Sequence, residues 1–195
     1  MFRHFMAAAA LACLTLTAAY AQAAESALAR SGQDIENTVY LDTKDGRITI
    51  LLRPDLAPKH VAQIKALTKR GFYNGVPFHR VIEGFMAQTG DPTGTGAGRS
   101  DLPDIPAEFS SEPFRRGTVG MARSADPNSA NSQFFICFAD ASFLNNRYTV
   151  VGEVVAGMDE VDKIKKGDKS RNGAVTDPDR IVKMQLASEA SSEQK

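Results

Sequence analysis

Apolar and polar residues alternate over most of this chain in short runs, the pattern of half-buried strands. Val39 and Leu41, then Ile48 and Ile50, alternate with polar neighbours on either side of Thr43-Lys44-Asp45-Gly46. Asp-Gly between β-branched runs predicts a hairpin with one buried face. Strand patterns return at 78–82, 85–89, 118–122, 133–138 and 148–155, with a less regular one at 179–187. Two segments change to a helical period. Over 58–70, Val61, Ile64 and Leu67 make one stripe, and Pro58 suits the first turn. Lys69 and Arg70 favour its C-terminal end, and Gly71 can stop it. Met158, Val161 and Ile164 predict a short second helix over 158–166. Many strands with two helices argue for a closed or nearly closed antiparallel barrel, because closure removes exposed strand edges. The expectation is a closed antiparallel eight-stranded β-barrel capped by two α-helices.

The ends of the chain differ from this body. Met1 to His4 is a short basic start, and Phe5 to Ala19 is uncharged and mostly apolar. Ala19-Tyr20-Ala21 and Ala21-Gln22-Ala23 both fit the small-x-small pattern of a secretory cleavage site. The apolar run is shorter than the ~20 residues a membrane-spanning helix needs. Residues 1–23 are therefore expected to be a signal peptide, cleaved after Ala21 or Ala23. Export follows, with no stable membrane insertion afterwards. Cys13 does not suggest a lipoprotein, because Ala10 stands where leucine is wanted. Residues 24–36 read as a flexible leader, 37–187 as one folded domain, and 188–195 as a disordered polar tail.

Composition narrows the chemistry. The 195 residues contain 23 Lys plus Arg and 23 Asp plus Glu, for a formal net charge of zero. With no basic excess or stripe, nucleic acid is not an expected partner. Cleavage would leave Cys137 as the single thiol, which cannot form an internal disulfide. Its strand-like setting, Phe134-Phe135-Ile136-Cys137-Phe138, marks it as a small core residue. His60 and His79 alone are too few for a zinc site, and no cysteine cluster accompanies them. The run Gly94-Thr95-Gly96-Ala97-Gly98 lacks the lysine and hydroxyl ending of a phosphate loop. No serine lies in a Gly-x-Ser-x-Gly elbow. The expectation is chemistry without metal, coenzyme or nucleophile. The long Gly- and Pro-rich loop 91–113 is of a length that is usually functional or mobile.

Phe78-His79-Arg80-Val81-Ile82, then Gly84-Phe85-Met86-x-Gln88, together with Asn131-Ser132-Gln133-Phe134-Phe135-Ile136, resemble the cyclophilin family of peptidyl-prolyl isomerases. The resemblance runs from about Val39 to about Ala187. Met121-Ala122-Arg123 is similar to the bacterial branch of that family, many members of which carry a signal peptide and work in the periplasm, so the resemblance implies a periplasmic location. The resemblance implies proline-containing peptides and unfolded exported proteins as partners, and a monomer.

It also implies a site. Arg80 would aim a donor at the proline nitrogen as the twisted amide regains its lone pair. Phe85, Met86, Phe135 and Leu144 would wall a proline pocket. Gln88 would bind the substrate backbone and orient Arg80. Ala122 and Arg123 would form a backbone-docking edge, with Gln133, Phe143 and Tyr148 on the rim. Taken singly, Arg80 reads as an ion-pair partner of Glu83, and His79 as a hydrogen-bonding structural residue.

The chain departs from the family pattern at several positions. Glu83 stands for a common proline, Thr89 for a common glycine and Tyr148 for a common histidine. Phe143 stands where cyclosporin-sensitive members carry tryptophan, so tight cyclosporin binding is not expected. The alternative reading is a non-catalytic proline-peptide binder that uses the same groove.

Overall fold

The structure is a computed structural model that describes residues 34–190. The expected signal peptide, the leader over 24–33 and the tail from 191 lie outside the described residues. Contacts divide the chain into 1–36 and 37–195, and the fold below belongs to the second unit.

Eight strands make one antiparallel sheet: β1 (Thr38–Thr43), β2 (Gly46–Leu52), β3 (Arg80–Ile82), β4 (Met86–Thr89), β5 (Thr118–Met121), β6 (Phe134–Cys137), β7 (Val150–Ala156) and β8 (Lys183–Leu186). Helix α1 is Pro58–Lys69, α2 is Met158–Lys163 and α3 is Ala187–Ala190. The sheet order is β3-β4-β6-β5-β7-β2-β1-β8.

The expected closed barrel is corrected to an open half-barrel, because β3 and β8 are the two ends of the sheet and are not paired. The segments ahead of them meet instead: Phe78 N–H donates to the Asp179 carbonyl at 2.8 Å, and Ile181 N–H to that of Val76 at 3.0 Å. Pro77 and Pro178 lie in these segments and lack an N–H, so a regular ladder cannot run through them. This also shortens the last strand, which begins at Lys183 rather than Asp179.

The sequence period accounts for the core. Val39 and Leu41 of β1 and Ile48, Ile50 and Leu52 of β2 are buried, and the α1 stripe Val61, Ile64 and Leu67 joins them in one cluster. Helix α2 ends at Lys163 because Ile164 turns to an extended conformation (φ −54°, ψ 128°). Its side chain is nonetheless buried in the core. Helix α3 reaches into the expected tail. Ala187 is buried, and Ala-Ser-Glu-Ala contains good helix formers. Residues 34–37, at the end of the expected leader, are also helical.

Helix α1 takes its cap from far away. Its N-cap residue, Ala57, has no capping side chain. The Glu108 carboxylate accepts the N–H of Lys59 at 3.2 Å and of His60 at 3.1 Å, and pairs with His60 Nδ1 at 2.6 Å. A negative group at this end suits the helix dipole. The same residue ties the long loop to the residue just ahead of β7, since Glu108 N–H donates to Thr149 Oγ1 at 3.1 Å.

Candidate active site

The site is built on the outward positions of the strands whose inward positions fill the core. On β4 Ala87 points to the main cluster, while Met86 joins a second cluster. On β6 Phe134 and Ile136 go inward, and Phe135 and Cys137 go to the second cluster. Gly120 of β5 permits this packing, since a Cβ there would lie 2.6 Å from both Phe114 Cε1 and Phe135 Cζ. The two rings stack above it with centroids 5.8 Å apart. Tyr148 meets Phe135 edge-on at 6.1 Å. Phe85 and Phe143 are 5.3 Å apart.

Above this cluster opens a cleft of about 380 Å³ lined by Arg80, Phe85, Met86, Gln88, Ala122, Arg123, Phe135, Phe143, Leu144, Arg147 and Tyr148. The structure therefore brings together ten of the eleven residues named from the sequence and adds Arg147. The exception is Gln133, which lines an adjoining cleft of about 420 Å³ with Gly96, Ala97, Gly98 and Arg99. Gln88, Ala122 and Arg123 border both.

Arg80 stands opposite Gln88 in the β3–β4 pair. Its Nη1 donates to Gln88 Oε1 at 3.1 Å, with Met86 Sδ at 3.9 Å. Its Nε donates to the Asn172 carbonyl at 3.0 Å, and its Nη2 to Asn172 Oδ1 at 3.1 Å. Every one of these acceptors is uncharged. The ion pair with Glu83 that Arg80 would suggest taken singly is not formed: Glu83 meets Lys169 Nζ at 3.1 Å, both side chains being well exposed. Burial pushes the Arg80 pKa down, against a smaller opposing effect of Tyr148. A guanidinium still stays charged at any working pH.

A chain of amides continues from Arg80. Gln88 Nε2 donates to Gln133 Oε1 at 2.9 Å, and Gln133 Nε2 donates to the carbonyls of Gly96 at 3.0 Å and Gly98 at 2.8 Å. Both ends of the Gln88 amide are thus engaged within the protein. The glycine loop is itself wound round Asp91, whose carboxylate accepts N–H groups of Thr93 (2.7 Å), Gly96 (2.6 Å) and Gly98 (3.0 Å). Burial alone would raise the Asp91 pKa, but these bonds and the Thr93 hydroxyl hold it down at about 2. The glycine run serves as an organised wall, with its donors turned to a carboxylate of the chain.

The docking edge is partly committed as well. The Ala122 N–H donates to the Gln133 carbonyl at 2.9 Å. Arg123 lies over the Tyr148 ring at 4.4 Å and donates to the Arg147 carbonyl at 2.9 Å. Thr89 is buried and donates to the Pro77 carbonyl at 2.9 Å, a bond that the commoner glycine could not make. His79 is buried, and neither ring nitrogen has a partner in strict hydrogen-bond geometry among the described residues, although the Pro77 backbone acts on the ring as an acceptor. Burial lowers its pKa against the smaller raising effects of Asp91 and Pro77. Cys137 lies in the second cluster with its thiol pushed up to about 12 by burial, so it is not a reactive thiolate. Asn172 and Glu108 were missed by sequence reasoning. Asn-Gly at 172–173 was the available local signal for the first, and nothing local marked the second.

A charged donor beside an aromatic-walled cleft suits a reaction that needs neither nucleophile nor metal. Among the described residues no cluster of His, Cys, Asp and Glu could hold a metal ion. Comparison with known proteins agrees with that class. The family model described as "Cyclophilin type peptidyl-prolyl cis-trans isomerase/CLD" matches residues 38–186. A probable peptidyl-prolyl cis-trans isomerase of Brucella suis is 64% identical over 164 residues, covering 78% of this chain and 84% of that protein. The peptidyl-prolyl cis-trans isomerase of Helicobacter pylori strain J99 is 40% identical over 142 residues, covering 70% of this chain and 86% of that one. Cyclophilin AquaCyp293 from Hirschia baltica superposes with a TM-score of 0.71 at 29% identity, covering 80% and 76% of the two chains. A Cryptosporidium parvum cyclophilin-type isomerase, crystallised in the presence of the dipeptide Ala-Pro, gives 0.70 at 29% identity, with 76% and 98% covered. The chain belongs to the cyclophilin-type peptidyl-prolyl cis-trans isomerases. Its activity is accordingly rotation about the peptide bond that precedes proline.

Proposed function

We propose that the cleft around Arg80 is where this rotation occurs, and that its substrates are prolyl bonds of unfolded exported proteins. An X–Pro bond left alone isomerises in tens to hundreds of seconds. At the top of the barrier the amide is twisted, its resonance is lost, and the proline nitrogen regains a lone pair. A donor that meets this lone pair binds the twisted state better than either planar state, which is the condition for catalysis. Arg80 is that donor in this reading. Phe85, Met86, Phe135 and Leu144 seat the proline ring. Gln88 orients Arg80, and Ala122, Arg123, Gln133, Phe143 and Tyr148 receive the flanking residues.

The observation that carries the reading is that Arg80 is half-buried at an aromatic cleft and held by neutral acceptors alone, so its charge is left for the substrate. A preorganised donor in a dry site contributes about 2.7–4 kcal/mol. A million-fold acceleration needs about 8 kcal/mol. The remainder falls to the apolar walls, which strip water from the amide and favour its twisted shape. The Ala-Pro dipeptide present with the Cryptosporidium parvum relative supports a proline-sized occupant.

Export rests on residues 1–23: a basic start, an apolar run and two small-x-small sites. The cleaved protein acts in the periplasm as a monomer in this reading. Exchange NMR on X–Pro peptides that differ in X, with the mature chain, tests the substrate reading. Faster cis/trans exchange is expected. Binding without faster exchange would point to a peptide binder instead. Cell fractionation with N-terminal mass analysis tests export. A mature chain beginning at Gln22 or Ala24 in the periplasm is expected, and an uncleaved cytoplasmic chain would refute it.

A further inference from the structure

The outer edge of β3 is covered by a loop that makes a second contribution. Val81 N–H donates to the Gly173 carbonyl at 2.8 Å, Gly167 N–H to that of Val81 at 2.9 Å, and Val175 N–H to that of His79 at 3.1 Å. The loop is locked internally. The Asp168 side chain accepts from Ser170 N–H at 2.8 Å and from Arg171 Nε at 3.2 Å, and the Asp168 carbonyl accepts from Gly173 N–H at 2.8 Å. Gly167 and Gly173 approach so closely that a Cβ on Gly167 would lie 1.9 Å from the Gly173 carbonyl oxygen. At the tip sits Asn172 in the left-handed conformation, φ 55° and ψ 34°. Asparagine is one of the few residues that tolerate this.

That conformation turns two oxygens of one residue onto one edge of the Arg80 guanidinium: the carbonyl to Nε at 3.0 Å and Oδ1 to Nη2 at 3.1 Å. We propose that Asn172 is a positioning residue for isomerisation, holding the Arg80 guanidinium at two points so that it meets the twisted bond at a fixed angle. This rests on the reading of Arg80 as the donor. Gln88 alone gives one bond to Nη1, which leaves the guanidinium plane free to turn about that contact. The fork from Asn172 removes this freedom. It does so without a carboxylate, so the Arg80 charge is not neutralised. The residue lies 92 positions from Arg80 in the chain and does not line the cleft.

The test is Asn172→Gly, made in the wild-type chain and in Arg80→Ala. Glycine accepts the left-handed backbone, and of the two contacts to Arg80 only the side-chain one is lost. Stability, followed by thermal melting, is expected to stay close to wild type. Loss of one hydrogen bond to a charged group that must be aligned in the transition state is expected to lower kcat about tenfold. KM should change by less than about twofold, because substrate binding itself is untouched. In the Arg80→Ala chain the same change should have no further effect, read by exchange NMR at high enzyme concentration. Wild-type kcat in Asn172→Gly, or the same tenfold loss in both backgrounds, would overturn the proposal. Near-normal activity of Arg80→Ala alone would instead remove the reading of Arg80 on which it rests.

Discussion

The molecule has two apolar clusters built on the same strands, and they differ in what encloses them. The main cluster takes Ala87, Phe134, Ile136 and Val151, and is closed over by Val61, Ile64 and Leu67 of α1. The second takes Met86, Phe135, Cys137 and Val150, their immediate neighbours; among the described residues no α-helix contributes to it, and the short 3-10 turn Ser142–Leu144 borders it through Leu144. Its outer members Phe85, Ala122 and Tyr148 are only partly buried. Because successive side chains of a strand face opposite ways, one stretch of sequence serves both clusters. The difference teaches that stability and catalysis are divided here by pleat parity rather than by region. Phe135 and Ile136 are adjacent in the chain but lie on opposite sides of that division.

Substitutions at neighbouring positions can break or sharpen this contrast. The largest effect on stability is expected for Ile136→Ala, which opens a cavity in the closed cluster and should cost about 2–5 kcal/mol in denaturant unfolding. The fraction still folded should turn over normally. A variant that folds as stably as wild type but loses activity would contradict the division. Phe135→Ala should reverse the pattern. It removes about 2 kcal/mol of apolar contact with the proline ring, or roughly thirtyfold in kcat/KM. Its unfolding cost should be smaller than that of Ile136→Ala, and a larger cost would break the comparison.

Acid should act through the closed side and the long loop. Burial depresses the His60 pKa in spite of the Glu108 carboxylate, and Glu108 and Asp91 are depressed as well. A depressed folded value means that the unfolded chain takes up its proton first as pH falls. The His60 contribution is therefore full above its ordinary value of 6.5 and is lost as pH falls below it. The Asp91 contribution is lost later, from its ordinary 3.8 towards about 2. Melting temperature should decline from near neutrality downwards and steepen below about pH 4. A melting temperature that rises between pH 7 and 5 would contradict this. The smallest effect is expected for Phe143→Ala. Its ring is 62% exposed and touches the cleft mainly through Phe85, so kcat/KM should change by less than about threefold in a coupled peptide assay. A thirtyfold loss would make Phe143 a pocket wall rather than a rim residue.

How much of this was legible in the sequence follows from distance along the chain. The strands and α1 were legible because their period is local, and Val39, Leu41, Ile48 and Ile50 are buried as their alternation predicts. Sheet closure was not legible, since it depends on how the Pro77 and Pro178 segments meet, Pro77 pairing with Arg180 about a hundred residues away. The cleft residues were named only through the family resemblance carried by the motifs at 78–88 and 131–136, and Arg80, Phe85, Gln88 and Phe135 do line one cleft. The supports of the site were not. Asn172 reaches Arg80, and Glu108 reaches His60, from loops with no periodic pattern. The departures now have partners: Thr89 bonds Pro77, and Glu83 pairs with Lys169.

The account rests on Arg80 as the group that meets the twisted bond. Its most direct test is exchange NMR of one X–Pro peptide with Arg80→Ala, alongside thermal melting of the same sample. The account predicts kcat/KM lower by about a hundredfold or more, with the melting temperature close to wild type, because the half-buried Arg80 side chain lines the cleft and its hydrogen bonds run to Gln88 and Asn172. Isomerisation within about threefold of wild type by the folded variant, well short of the loss of one preorganised donor, would contradict it.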